Sequence, residues 1–179
     1  MMLSALLRGR RSRASSFKRV GLNGRLVVAL IVVQRCCQKW GVHTAALDLW
    51  FDHLWKWPTV DSSTFDTWSE AEPALIQSGL GDPLPAELLA QLAAAGVNAD
   101  EFAALIMHAT EIVYSSLYAA ADNKGSLEDL GKVFEIAERS GVMIPPAETV
   151  SHCRINDGHG WGRTLTREEL AALRSLDPA

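Results

Sequence analysis

Two stretches of the chain carry side chains that could do chemistry. The first is a polar line of His108, Glu111 and Ser115, spaced i, i+3, i+7. In a helix this spacing stacks all three on one face. A second set, Asp48, Asp52 and His53, lies upstream, with its two carboxylates one helical turn apart. Carboxylate and imidazole groups from two helices are how a metal site is built inside a bundle, and Asp48, Asp52, His108 and Glu111 are the candidate ligands. The order on the later helix is His-x-x-Glu and occurs once, unlike the repeated Glu-x-x-His of di-metal bundles. The structural reading of the same residues is a hydrogen bond from His108 or Glu111 to each other or to a neighbouring helix.

The second stretch runs from 151 to 166 and reads SHCRINDGHGWGRTLT. It has no helical or strand period, and glycines alternate at 158, 160 and 162. Arg154, Asp157, His159, Trp161 and Arg163 fall within ten residues. Alternate glycines let backbone N–H groups converge on an anion. Two arginines could clamp a carboxylate or phosphate, and Asp157 with His159 could transfer protons. The structural reading is that the glycines permit a tight path, Trp161 plugs the bundle, and the charges pair locally. Long ordered loops are disproportionately functional, so these five residues join His108, Glu111 and Ser115 as binding candidates.

Other chemistry is thinly supplied. His152-Cys153 could join His159 and Cys36 or Cys37 around zinc, but no Cys-x-x-Cys spacing exists. Sequence neighbours such as Cys153 and His152 seldom form a working dyad. The chain contains no Gly-x-Ser-x-Gly, Walker loop or His-Glu-x-x-His. No catalytic residue is assigned and no cofactor is called for.

The elements that must position these groups read as helices. The clearest spans 98–123, with Phe102, Leu105, Ile106, Ala109, Ile112, Val113, Leu117 and Ala120 as its apolar stripe. Asn98 and Glu101 form a capping-box pattern, and Val97 with Phe102 a hydrophobic staple. A helix over 25–40 is apolar almost all round and therefore buried between others. Another over 43–57 stops at Pro58, and the tryptophans between Trp40 and Trp57 read as core filling. Shorter helices follow at 63–72, with Ser63 as cap, and from 82–85 to Gly96. A further helix runs from 125 to Gly141, and a last one starts at Thr166 with Glu169 as capping box and ends at Pro178. The fold class is all-α, a single-domain bundle of six or seven helices with a Gly-rich C-terminal loop. Its domain covers 25–179. Residues 1–24 read as a disordered basic leader with a turn of helix at 2–7.

Charge divides the chain. Residues 1–47 hold nine Lys/Arg and no acid, whereas 48–179 hold eight Lys/Arg against 21 Asp/Glu, a balance of −13. An acidic body repels nucleic-acid phosphates and favours basic partners. The apolar run at 26–33 is eight residues long, far short of the roughly 20 that span a bilayer. Arg35 stands where a signal peptide would need small residues for cleavage. Three cysteines without regular spacing point to a reducing, cytoplasmic setting.

The pieces EIVYSSLYAAADNKGSLEDL, GVMIPP and DGHGWGRTLTREEL, within the last 70 or so residues, resemble small uncharacterised all-α bacterial proteins. Some chains of that kind are similar to polymorphic-toxin immunity proteins. The resemblance transfers no catalytic residue. It implies a bacterial cytoplasmic setting and a binding function. The expected function is therefore a non-enzymatic binding protein, an immunity-type inhibitor covering a basic partner. The alternative is a small metal-dependent or anion-binding enzyme using the central helix and the loop.

Overall fold

A computed structural model describes residues 13–176. Eight helices pack into one all-α bundle, and among the described residues the only β-pairing is an isolated bridge between Val20 and Arg154. The helices are α1 (Leu22–Trp40), α2 (Ala45–Lys56), α3 (Phe65–Glu70), α4 (Ala74–Gly79), α5 (Ala86–Ala95), α6 (Ala99–Tyr114), α7 (Gly125–Arg139) and α8 (Arg167–Arg174). None is long and apolar enough to cross a membrane.

The bundle is organised around α1. Its residues from Leu22 to Val33 are all buried, because α6 and α7 cover it on two sides and α2 on a third. Val27, Val28, Ile31 and Val32 have no solvent face to avoid, which explains why the segment lacks a polar stripe. Its C-terminus closes at Gly41 in the left-handed conformation, whose N–H reaches Cys37 and Gln38 carbonyls.

The expected disordered leader is corrected from residue 13 onward. Arg13–Phe17 forms a short 3-10 helix on α7, with Phe17 1% exposed and edge-on to Phe134 at 5.4 Å. Helix α1 begins at Leu22, three residues before the expected start at 25, because polar Asn23 and Arg25 are also buried. The Arg25 guanidinium, 1% exposed, donates to the Asn123 carbonyl at 2.6 Å and the Ser126 hydroxyl at 2.7 Å. It also reaches the Phe17 and Lys18 carbonyls. One side chain thus ties the N-terminal arm to the α6–α7 connection. The expected turn of helix at 2–7 and the stop at Pro178 lie outside the described residues.

Helix α6 is shorter than its sequence pattern. Asn98 caps it as expected, accepting from the Glu101 N–H at 2.9 Å, but the Glu101 carboxylate turns to Arg139 of α7 at 2.7 Å. The helix ends at Tyr114. Ser115 bonds back to the Glu111 carbonyl, and the Ser116 hydroxyl takes the Asp122 N–H, so residues 115–124 turn toward α7. Local side-chain bonding of this kind competes with helix continuation. Helix α3 is likewise shorter than expected. Asp61, rather than Ser63, organises its entry, accepting from Ser63 and Thr64. The full capping box at Thr166 and Glu169 is present on α8.

Candidate functional site

The Gly-rich loop is seated across the N-terminus of α1. That terminus has no side-chain cap. The loop supplies the missing acceptors: the Gly21 N–H donates to the Cys153 carbonyl at 2.7 Å and the Asn23 N–H to the Trp161 carbonyl at 2.8 Å. The Ile155 N–H meets the Arg19 carbonyl at 2.9 Å, and the Leu165 N–H meets the Pro58 carbonyl at 2.8 Å. Close approach requires glycine on the α1 side, since a Cβ on Gly21 would lie 2.6 Å from the Gly162 nitrogen.

Asn23 joins three elements through its side chain. Its Oδ1 accepts the Trp57 indole N–H at 3.1 Å, and its Nδ2 donates to the Arg163 carbonyl at 3.3 Å. This sets Trp57, just after α2, against Trp161 of the loop, with ring centroids 5.3 Å apart at 52°. Phe65, the first residue of α3, stands at 79° to Trp57 with centroids 6.4 Å apart. The rings meet at steep angles, so they wall a hollow instead of closing into a stack. A cavity of about 400 Å³ opens between them, with Asp61, Leu117, Gly158 and Thr164 completing its lining. Tyr118, 84% exposed, continues the aromatic surface outward, perpendicular to Phe65 at 6.3 Å.

Among the described residues Asp61 is the one carboxylate in this wall. The Ser63 hydroxyl at 2.6 Å, the Ser63 N–H at 2.9 Å, and the Thr64 hydroxyl and N–H at 3.1 Å all point at its Oδ1. The Ser63 hydroxyl above all, then these other donors, holds the carboxyl below its usual range. Among the described residues Oδ2 has no partner, and no Lys or Arg lines the cavity.

The residues singled out from the sequence do not assemble into one site. Of them, only Trp161 lines this cavity. His108 Nδ1 bonds Asp129 of α7 at 2.9 Å. Glu111 sits beside this pair, where burial first and the Asp129 charge second raise its carboxyl, partly offset by His108. Ser115 is exposed, its hydroxyl on the Glu111 carbonyl. Asp48 and Asp52 line a separate cavity between α1, α2 and Arg174, and Arg174 pairs with Asp52. Helix α2 presents Trp50 and His53 to α6, where they bond Thr110 and Tyr114. Its aspartates therefore face away from the helix that carries His108. The four proposed ligands do not converge, and among the described residues no three His, Cys, Asp or Glu groups could hold a metal ion.

The loop does not offer the anion cradle its glycines suggest. The Gly160 and Gly162 N–H groups donate to the Asp157 carbonyl, and the Trp161 N–H to that of Gly158. Arg163 makes a forked pair with Glu169. Arg154 and Asp157 are exposed, and their backbones close a turn through the Asp157 N–H and the Arg154 carbonyl. His159 is exposed at the loop tip with φ 54 and ψ 37, a left-handed conformation uncommon outside glycine. Cys153 is buried, and desolvation pushes its thiol up to about 11. It is not a nucleophile at neutral pH.

His53, grouped in the sequence with Asp48 and Asp52, instead joins Tyr114 and Glu72, which the sequence reading did not single out. His53 Nε2 lies 2.9 Å from the Tyr114 hydroxyl, which donates to Glu72 Oε2 at 3.1 Å. Since the hydroxyl proton goes to Glu72, the network assigns the His53 proton to Nε2. His53 stacks on Trp68 with centroids 4.3 Å apart. Burial, and then the Lys56 charge, lower its pKa to about 4. A neutral imidazole behind the aromatic wall stiffens the α2–α6 contact.

Comparison with protein-family models, with curated proteins and with solved structures finds no match to this chain in any of the three.

Proposed function

We propose that this protein is a non-enzymatic binding module that covers a basic protein, an inhibitor of the immunity type acting in a bacterial cytoplasm. The observation that carries the reading is the make-up of the cavity under the loop. Among the described residues its lining combines three aromatic side chains with one carboxylate and includes no imidazole, thiol or second carboxylate. Acid–base and nucleophilic catalysis need paired groups within hydrogen-bond reach. Holding a ligand needs an apolar wall with a few placed polar groups, and this cavity has both.

Charge supports the same reading. From residue 57 to 123 the chain holds ten carboxylates and no Lys or Arg. Seven of the residues lining the cavity, from Trp57 to Ala119, belong to that segment. A field of one sign accelerates encounter with a partner of the other sign and disfavours nucleic acid. Exposed Tyr118 beside it supplies the kind of anchor that dominates interface energetics.

The test is affinity capture from native lysate at low and at high salt. A stoichiometric basic protein, retained at low salt and released as ionic strength rises, is the expected result. Absence of any stoichiometric protein, or retention indifferent to salt, would count decisively against the reading.

A further inference from the structure

We infer that the cavity between Trp57, Phe65 and Trp161 receives an arginine side chain of the basic partner, with Asp61 as its counter-charge. The inference rests on the binding reading above and names the chemistry of its anchor.

Three observations lead to it. The rings stand at 52° and 79° to one another around the hollow. Three aromatic side chains around one hollow put more than one ring quadrupole within reach of a single ligand, and such quadrupoles attract a cation. Next, Asp61 Oδ1 is occupied by its own turn, whereas Oδ2 is unpartnered among the described residues. Among the described residues no cation in the cavity wall competes for that oxygen. Finally, two of the walls are anchored: Trp57 by Asn23, and Trp161 through its own carbonyl on the α1 N-terminus. A preformed site loses little on ordering.

Guanidinium fits better than ammonium. It is planar, stacks on indole and sheds water more readily, whereas ammonium keeps a tight hydration shell. The open, partly aromatic cavity selects the ion that is cheaper to desolvate.

The test needs no identified partner. Assigned indole N–H resonances of the whole protein are followed by NMR while acetyl-Gly-Arg-Gly-amide is added. The same peptides with lysine and with uncharged citrulline serve as comparisons. The arginine peptide is expected to shift the Trp57 and Trp161 signals saturably, lysine to bind several-fold more weakly, and citrulline not to bind. Asp61→Asn keeps the Oδ1 acceptor for Ser63 and Thr64 and should weaken the arginine peptide at least fivefold. Equal response to citrulline or lysine, an unchanged affinity in Asp61→Asn, or no saturable shift would overturn the inference. Should Asp61→Asn not fold, the peptide comparison on the native chain decides alone. The two readings fail separately. If Asp61→Asn and Trp161→Leu still capture a salt-released basic protein in full, the anchor falls and the binding function stands. If the native chain captures none, the function falls whatever the peptides do.

Discussion

Arg25 offers a sharp quantitative test, because it is a fully buried cation held without a carboxylate. Desolvation brings its pKa from 12.5 down to about 10. At 1.36 kcal/mol per pH unit, keeping the charge there costs roughly 3 kcal/mol. The bonds at 2.6 and 2.7 Å to Asn123 and Ser126 are charge-assisted and contribute about 1.5–3 kcal/mol each. Those to the Phe17 and Lys18 carbonyls, at 3.3–3.4 Å, add less. Gain and cost nearly cancel, so the two obvious replacements should rank against chemical similarity. Arg25→Met keeps the length while discarding both the bonds and the desolvation, and is expected to lose about 1–2 kcal/mol. Arg25→Lys keeps a buried charge but brings one nitrogen to four acceptors spread over two segments, and is expected to lose about 3 kcal/mol. Urea unfolding of both variants measures the order. Amide exchange over residues 13–20 should quicken in each, since the arm loses its tether. If lysine preserves more stability than methionine, the reasoning is refuted.

Two further outcomes follow from the geometry around the loop and the aromatic wall. Gly21→Ala places a methyl 2.6 Å from the Gly162 nitrogen, backbone that cannot rotate aside. It should cost about 2–3 kcal/mol in urea unfolding and alter the Trp161 fluorescence environment, whereas native stability would show that the loop is not seated there. His53 is 4% exposed and its folded pKa lies below the ordinary value, so its contribution is complete above pH 6.5 and is lost as pH falls toward 4. About 3 kcal/mol should disappear across that window. His53→Phe should remove this part of the slope, and a variant whose stability falls as steeply as the native chain's between pH 6.5 and 4 would contradict it.

The helices were legible in the sequence because their signals are local. The apolar stripe of α6, the buried run of α1 and the Thr166–Glu169 box each lie within a few turns of chain. Of the residues lining the cavity, the sequence pointed only to Gly158, Trp161 and Gly162 of the loop. Asn23 reads as a leader residue and Arg25 as the exposed first residue of a helix, both polar and set in a basic stretch. Their roles come from Trp57, Arg163 and Asn123, which are 34, 140 and 98 residues away. No periodicity encodes such distances. Conversely, His108, Glu111 and Ser115 share a helical face as their spacing requires, but that face turns to α7 and solvent, not to the loop. Asp61 carried a local sign, a serine and a threonine two and three residues on, of the kind that builds a side-chain turn. That sign marks the turn and is silent about the cavity beside it.

The seating of the loop on the first helix also sets a timetable for folding. During synthesis helix α1, buried from Leu22 to Val33, emerges before its covering helices and before the acceptors for its first N–H groups. Its terminal bonds are completed by Cys153 and Trp161, more than a hundred residues later. Until then its apolar surface must be shielded by something other than the native bundle. Chains cut before residue 151 should therefore aggregate instead of forming a smaller bundle. The seating that completes the α1 terminus also places Trp161 in the cavity wall, so the cavity is finished only when the fold is.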